Sequence, residues 1–296
     1  MSSPTNESVI HDIGFRHYDG PRLGRGWAFR SLLIETFRGC YGLGRPSKVK
    51  AMPWVLAGLI MAPALIMVAI TVVTGGTTLP LSYTQYAGGM WLLIAMFVAG
   101  RAPYAISRDL RDGVMPLYLS RPILRRDYVL AKFCGVALGV FSYIAAPIVV
   151  LLIGALLAKF PVVHELSGAL GGLAMAAVLA LVLTSISMVL ASISRRKGLG
   201  VAAIMTTLVL ASGFAGILIQ ILQMKFTEAS AAYAAILDPF ALVDGLGASW
   251  LGVAPLNKGT TPDGFTGGLV FTLVFVAIVT ASLALLMRRF KKVGGV

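Results

Sequence analysis

Charge is scarce in this chain and acid scarcer still: of 296 residues, 25 are Lys or Arg and 12 are Asp or Glu. Charged residues make up 12% of the whole, and a soluble domain carries about twice that fraction. Histidine is rarer, with His11, His17 and His164 only, so a metal site has little to be built from. His164-Glu165 opens like the zinc motif H-E-x-x-H, but Gly168 stands where the second ligand belongs. The two cysteines, Cys40 and Cys134, have no CxxC spacing and read as free packed thiols rather than a disulfide or metal site. No Lys follows a Gly, which excludes a Walker A loop, and no Ser/His/Asp set suggests a hydrolase. The stretch before Met52 is polar, charged and broken by Gly and Pro, unlike a secretory signal. Apart from Arg101, acids and bases are also missing from the long apolar windows, which counts against proton- or sodium-coupled transport, although coupling through backbone carbonyls stays open.

What is abundant is apolar sequence: 57% of the residues are hydrophobic and the mean hydropathy is +0.86. A helix needs about 20 such residues to cross a bilayer core of roughly 30 Å. Six windows qualify, at about 53–73, 85–106, 133–158, 166–194, 198–224 and 265–287, with Arg101 near the end of the second as their one charge. The fold class expected is an all-α polytopic membrane protein with six transmembrane helices. Its layout would be a cytoplasmic N-terminus over 1–52, a membrane domain over 53–287 and a basic cytoplasmic tail over 288–296.

The bases set the orientation. With the N-terminus inside, the inner segments hold 22 of the 25 Lys and Arg, and only Lys159, Lys225 and Lys258 fall outside. Counting acids as well, the inside carries +15 and the outside −2. Both ends are therefore expected in the cytoplasm, and the net charge of +13 reads as anchoring to anionic lipid rather than binding of nucleic acid.

Three segments between the spans have a character of their own. Over 27–41, Phe29, Leu32, Leu33, Thr36, Phe37 and Cys40 recur at helical spacing, with Arg30, Ser31, Glu35 and Arg38 opposite and Trp27 and Tyr41 flanking. That pattern predicts an amphipathic helix in the headgroup region, with Trp27 and Tyr41 at the lipid boundary, or else a helix packed on a partner protein. In the loop 101–132, Asp112-Gly113 reads as a helix stop and Pro116 as the first turn of a short helix carrying Met115, Leu117, Tyr118 and Leu119, ended by Arg121-Pro122. Its apolar side chains need cover, either from a cytosolic partner or from the N-terminal amphipathic helix. Arg125, Arg126 and Asp127 then open the third span. The outer loop over 225–264 is too apolar for an aqueous loop and should fold back as one or two short helices, shaping an exit gate or packing over helix ends. Small residues such as Gly135 with Gly139 and Gly213 with Gly216 would allow close helix approach within the chain.

The whole chain resembles the ABC-2 type permeases, the membrane subunits of one exporter-like class of ABC transporters. The resemblance rests on the opening IHDIGFRHYDGPRLGRGWAFRSLL, the six spans, the long loop before the last, and above all the stretch from Arg108 to Lys132. There Asp112, Gly113, Leu117 to Leu119, Ser120-Arg121-Pro122, Arg125 and Lys132 follow the family's pattern, while Asp109, Asp112 and Val114 stand where relatives more often have Glu, Glu and Thr. It implies an interfacial elbow helix with Trp27, Phe29, Leu32, Leu33 and Phe37. It also implies a coupling helix over about 114–120 seated in a separate ATPase, with Asp112, Gly113, Val114, Met115, Leu117, Tyr118, Leu119, Ser120, Arg121 and Arg125 at the contact. The chain itself would hold no cofactor; ATP and Mg would sit on the partner ATPases, and a second permease subunit would complete a transporter in a bacterial plasma membrane. A hydrophobic or amphipathic cargo suits the apolar spans. The competing readings are ATP-coupled force transmission to an extracytoplasmic partner and an energy-independent scaffold or channel.

Overall fold

Long runs of Leu, Val, Ile and Ala leave a backbone in lipid one economical option, which is to bond its own N–H and C=O groups within helices. The computed structural model describes residues 20, 23–76, 78–114, 117–118, 123–194, 196–225, 231–253, 255–256, 261 and 264–293, and the regular structure among them is entirely helical. The helices are α1 (Arg25–Cys40), α2 (Ser47–Thr74), α3 (Tyr83–Gly89), α4 (Trp91–Arg111), α5 (Arg125–Leu157), α6 (Val162–Ile193) and α7 (Lys197–Lys225). A 3₁₀ turn (Tyr233–Leu237), α8 (Pro239–Leu251) and α9 (Gly264–Val293) complete the chain. Helices α2, α5, α6, α7 and α9 are each long and apolar enough to cross a membrane. Helices α3 and α4 meet this test only as a pair and are bent by 67° where they meet, as in a broken span or a re-entrant loop, so the described residues hold five to six candidate crossings.

The single helix expected over 85–106 is thus divided in two, with the bend at Met90. Ser82 accepts from the Gln85 amide while the Gln85 side chain accepts from the Ser82 amide, a capping box that starts α3. Gly88 and Gly89 then give the helix little reason to continue, and the chain turns at Met90 before α4 begins. Elsewhere the helices outrun the apolar windows: α2 starts at Ser47, α5 at Arg125, and α9 runs to Val293.

Helix α6 lies at the centre, touching α3, α4, α5, α7, α8 and α9. Its buried positions are mostly small, including Ala169, Gly172, Ala176, Ala180, Ser187 and Ala191, so neighbouring backbones come close. Within the apolar windows, 56% of α5 and 50% of α6 is buried, against 22% of α2 and 17% each of α7 and α9, which leaves the last three mostly facing outward. Two tyrosines fasten α2 by its backbone. Tyr86 donates to the Ile60 carbonyl, and Tyr143 donates to that of Leu56 at 2.9 Å.

The stripe expected on α1 is the face it buries, with Leu32, Thr36, Gly39 and Cys40 innermost. It lies on α5 of the same chain rather than on lipid or on another protein. The seat is a glycine groove: a Cβ on Gly135 would fall 2.6 Å from Thr36 Cβ, and one on Gly139 would fall 2.8 Å from Cys40 Sγ. Trp27 is exposed as expected, and Tyr41 is half-buried. Its hydroxyl meets Gly139 O and Ser142 Oγ at 3.1 and 2.8 Å, and its ring packs on Phe97, which draws it into the bundle.

Between α7 and α9 the chain folds back into the bundle. Asp238 caps α8 by accepting from the amides of Phe240 and Ala241, and Pro239 takes the first helical position, where its missing N–H costs nothing. Helix α8 buries Phe240, Leu242, Val243 and Leu246 among α6, α7 and α9. At the same end of the bundle Tyr83 donates to Glu165 at 2.5 Å, tying α3 to the start of α6.

The groove makes a directional prediction. Gly139→Leu should force Cys40 aside and lower stability by about 1–3 kcal/mol, the usual cost of overpacking. Gly58→Leu, where a Cβ meets nothing, should leave the melting temperature of the purified chain unchanged.

Candidate functional site

Helix α4 ends through a left-handed glycine. Gly113 has φ 62°, and the Val114 amide reaches back to the Asp109 carbonyl at 3.3 Å, closing the helix C-terminus. The chain then makes a single turn, with the amides of Leu117 and Tyr118 both directed at Val114 O (3.1 and 3.3 Å). Leu117 is 70% exposed. Tyr118 is half-buried against Tyr128 of α5, at 5.3 Å between ring centres. The flanking span therefore covers Tyr118, contrary to the expectation that neither neighbour could, while Leu117 stays in the open. Met115, Leu119, Ser120 and Arg121 lie outside the described residues.

Beneath this turn is a charged network that residue patterns alone did not connect. Lys132 of α5 pairs with Asp109 of α4 at 3.0 Å, and the two side chains are only 6% and 12% exposed. Tyr128 donates to the same Asp109 oxygen at 2.5 Å, so the carboxylate is held by a cation and a hydroxyl. Little of either side chain is exposed, although both border the cavity described below, and this low exposure strengthens the pair but also makes either member alone expensive. One turn earlier on α5, Asp127 accepts two bonds from Arg25 of α1, at 2.5 and 2.7 Å, and a third from the Leu124 amide. Helix α1 is thereby bolted to the start of α5 by a forked contact as well as by the glycine groove.

Other predicted positions fall around the network. Asp112 is exposed beside Arg111 and Arg108, and the hydrogen bond from Arg111, with help from Arg108, holds its carboxyl below the usual carboxylate range. Arg125 donates to the Lys291 carbonyl at 3.3 Å, so it also ties α5 to the end of α9. Of the α1 residues, Leu32 is buried, Phe29, Leu33 and Phe37 are half-buried, and Trp27 is exposed. Between α1, α4, α5 and the turn lies a cavity of about 330 Å³, bordered by Glu35, Arg45, Tyr104, Arg108 and Leu117. Arg45 stacks over the Tyr104 ring there, at 4.4 Å. Among the described residues no three His, Cys, Asp or Glu side chains gather as a metal site.

Among the described residues the site thus combines an exposed apolar side chain, a rim of arginines and ion pairs that join three helices.

Residues 80–294 match the protein family described as "ABC-2 family transporter protein". No curated protein matches the chain.

The buried pair can be tested on the isolated chain. Lys132→Ala should destabilise by about 3–5 kcal/mol, because it strands Asp109. Lys132→Met combined with Asp109→Asn should recover most of that loss in denaturant titrations, a coupling that an exposed pair would not show.

Proposed function

The chain belongs to the ABC-2 transporter family, and from that premise we propose that it is the membrane-spanning subunit of an ATP-binding cassette exporter powered by a separate ATPase. The observation that supports this most is Leu117, exposed on a one-turn platform whose base is fixed into the bundle by Tyr118, Tyr128, Asp109 and Lys132. A partner seated on Leu117 would bury an apolar side chain that is otherwise left in water. The rim of Arg108, Arg111 and Arg125 would meet acidic groups on that partner. In this reading the segment over 114–120 is the coupling helix, and the ATPase supplies both ATP and Mg.

The topology follows from the bases. Arg25, Arg108, Arg111, Arg125, Arg196 and Arg289 all belong to the helix ends near this platform or to the segments joining them, so that face is the cytoplasmic one. Both termini are then inside a bacterial plasma membrane, and α1 lies beside the inner leaflet with Trp27, Arg30 and Arg38 outward. The outward faces of α2, α7 and α9 are available to lipid and to a second permease subunit. ATP-driven closure of the ATPases would push on the platform and re-angle α4 and α5, moving a hydrophobic or amphipathic cargo outward.

Leu117→Asp should abolish stimulated ATP hydrolysis in the reconstituted complex and weaken co-purification of the ATPase. Its melting temperature should stay within about 1 °C of the parent, since an exposed surface substitution changes stability little. ATPase capture and turnover equal to the parent would remove Leu117 from the contact.

A further inference from the structure

A carboxylate from a loop sits beside the middle of α7. Asp238 follows the 3₁₀ turn, and its Oδ1 accepts from Ser212 Oγ at 2.7 Å. Ser212 lies near the centre of α7, whose stretch Gly198–Met224 is long and apolar enough to cross a membrane, so the fold-back places Asp238 beside the middle of that helix. The sequence pattern had left no acid there. Its other two bonds come from the amides of Phe240 and Ala241, so every partner it has among the described residues is neutral. An ionised group beside the middle of a membrane-crossing helix is costly and usually belongs to a ligand path.

Asp238 borders a cleft of about 450 Å³ between α4, α7 and α8. A second carboxylate, Asp244, lies on the same wall one and a half turns along α8, where it accepts from the Leu256 amide at 2.9 Å. Trp91 and Phe240 form the apolar wall as an edge-to-face pair 6.1 Å apart. Gly213 forms the α7 side, and a Cβ there would meet nothing within 4 Å. The volume is within the range for a small organic ligand. Two acids with an aromatic pair select for positive charge on an apolar body, through ion pairing and cation–π contact. The described acidic and His groups offer no cluster for a bare metal ion.

We infer that this cleft is a binding site for an amphipathic organic cation, with Asp238 and Asp244 receiving the ammonium group and Trp91 and Phe240 the apolar body. The inference names a cargo class and so rests on the transporter reading, but the site can be tested without the ATPase. The probe is dansylcadaverine, a primary ammonium on an apolar fluorophore, titrated into the full chain in phosphatidylcholine nanodiscs. Its neutral N-acetyl derivative and empty nanodiscs serve as controls. Saturable binding of the amine alone is expected. Asp238→Asn, which keeps a capping side chain, should weaken it by about tenfold or more, as should Asp244→Asn. Gly213→Val, which adds a branched side chain to the cleft wall where a Cβ meets nothing, should also weaken it at an unchanged melting temperature. Equal binding of the acetylated probe, wild-type affinity in both Asn variants, or fluorescence matching empty nanodiscs would overturn the assignment. Should Asp238→Asn fail to fold, Asp244→Asn and Gly213→Val decide the matter alone. Loss of ATPase coupling in Leu117→Asp together with no amine binding would leave the transporter reading standing and remove only this site.

Discussion

Water is not available inside a bilayer to bond a stray polar group, and most of the architecture follows from how this chain meets that constraint. Where two helices must be fixed, a hydroxyl finds a carbonyl: Tyr86 and Tyr143 on α2, and Ser107 on Ala191 O at 2.7 Å, joining α4 to α6. Where charge must be buried, it is matched, as in Asp109 with Lys132 and Tyr128. Arg101 meets the requirement less fully. It is 4% exposed, donates to Met52 Sδ at 3.0 Å, and its Nε has no partner among the described residues. Polar contacts of this kind are few, so each fixes the relation of two particular helices in a way that interchangeable apolar contacts do not.

At the basic end those few contacts converge on α5. Gly135 and Gly139 admit α1, Asp127 grips Arg25, Lys132 reaches α4, and Tyr128 reaches both Asp109 and Tyr118. All five groups lie within about four turns, on a helix that is itself packed along α6. These contacts join α1, α4 and α5 into one packed, ion-paired junction, against which Tyr118 rests.

The residue pattern announced much of this, and its failures have physical causes. Hydrophobic spacing identified the correct face of α1, because one side of a helix must be apolar whatever it touches. It could not say what that face touches, since the seat is two glycines whose meaning lies in the absence of a side chain. Nor could it name the partners of Tyr41, which bonds Gly139 and Ser142 and packs on Phe97, because an aromatic ring with a hydroxyl suits a headgroup layer and a bundle interior equally well. The short helices expected within 225–264 are there, as the 3₁₀ turn and α8, whereas the Ser82–Gln85 capping box was legible only in principle, because long apolar windows hide breaks that polar flanks would reveal. Asp109 and Lys132 stand 23 positions apart, and no local rule pairs residues across a turn of unknown path. Depth was the least legible quantity of all. Asp238 belongs to a loop by sequence and lies beside the middle of α7 by structure, because a fold-back of apolar residues can carry an acid inward at little cost once a helix N-terminus is there to receive it.

Helix α4 has a part in both ends of the molecule. Trp91 at its first turn walls the aromatic cleft, and Asp109 near its last is gripped by Lys132, about 27 Å away along the axis. A straight helix between them would oblige the cleft wall to follow every movement of the basic end. Pro103 qualifies that, since it removes one hydrogen bond from the ladder and makes a bend cheapest at that point. The 67° break at Met90 is a second place where the angle can change without breaking helical bonds. Motion entering at the exposed turn must therefore either displace Trp91 or be taken up at Pro103, and motion at Trp91 need not disturb α3, which Tyr83 and Glu165 hold to α6. The polar anchors thus leave α4 as the element of its neighbourhood with a fixed grip at one end and a hinge at the other.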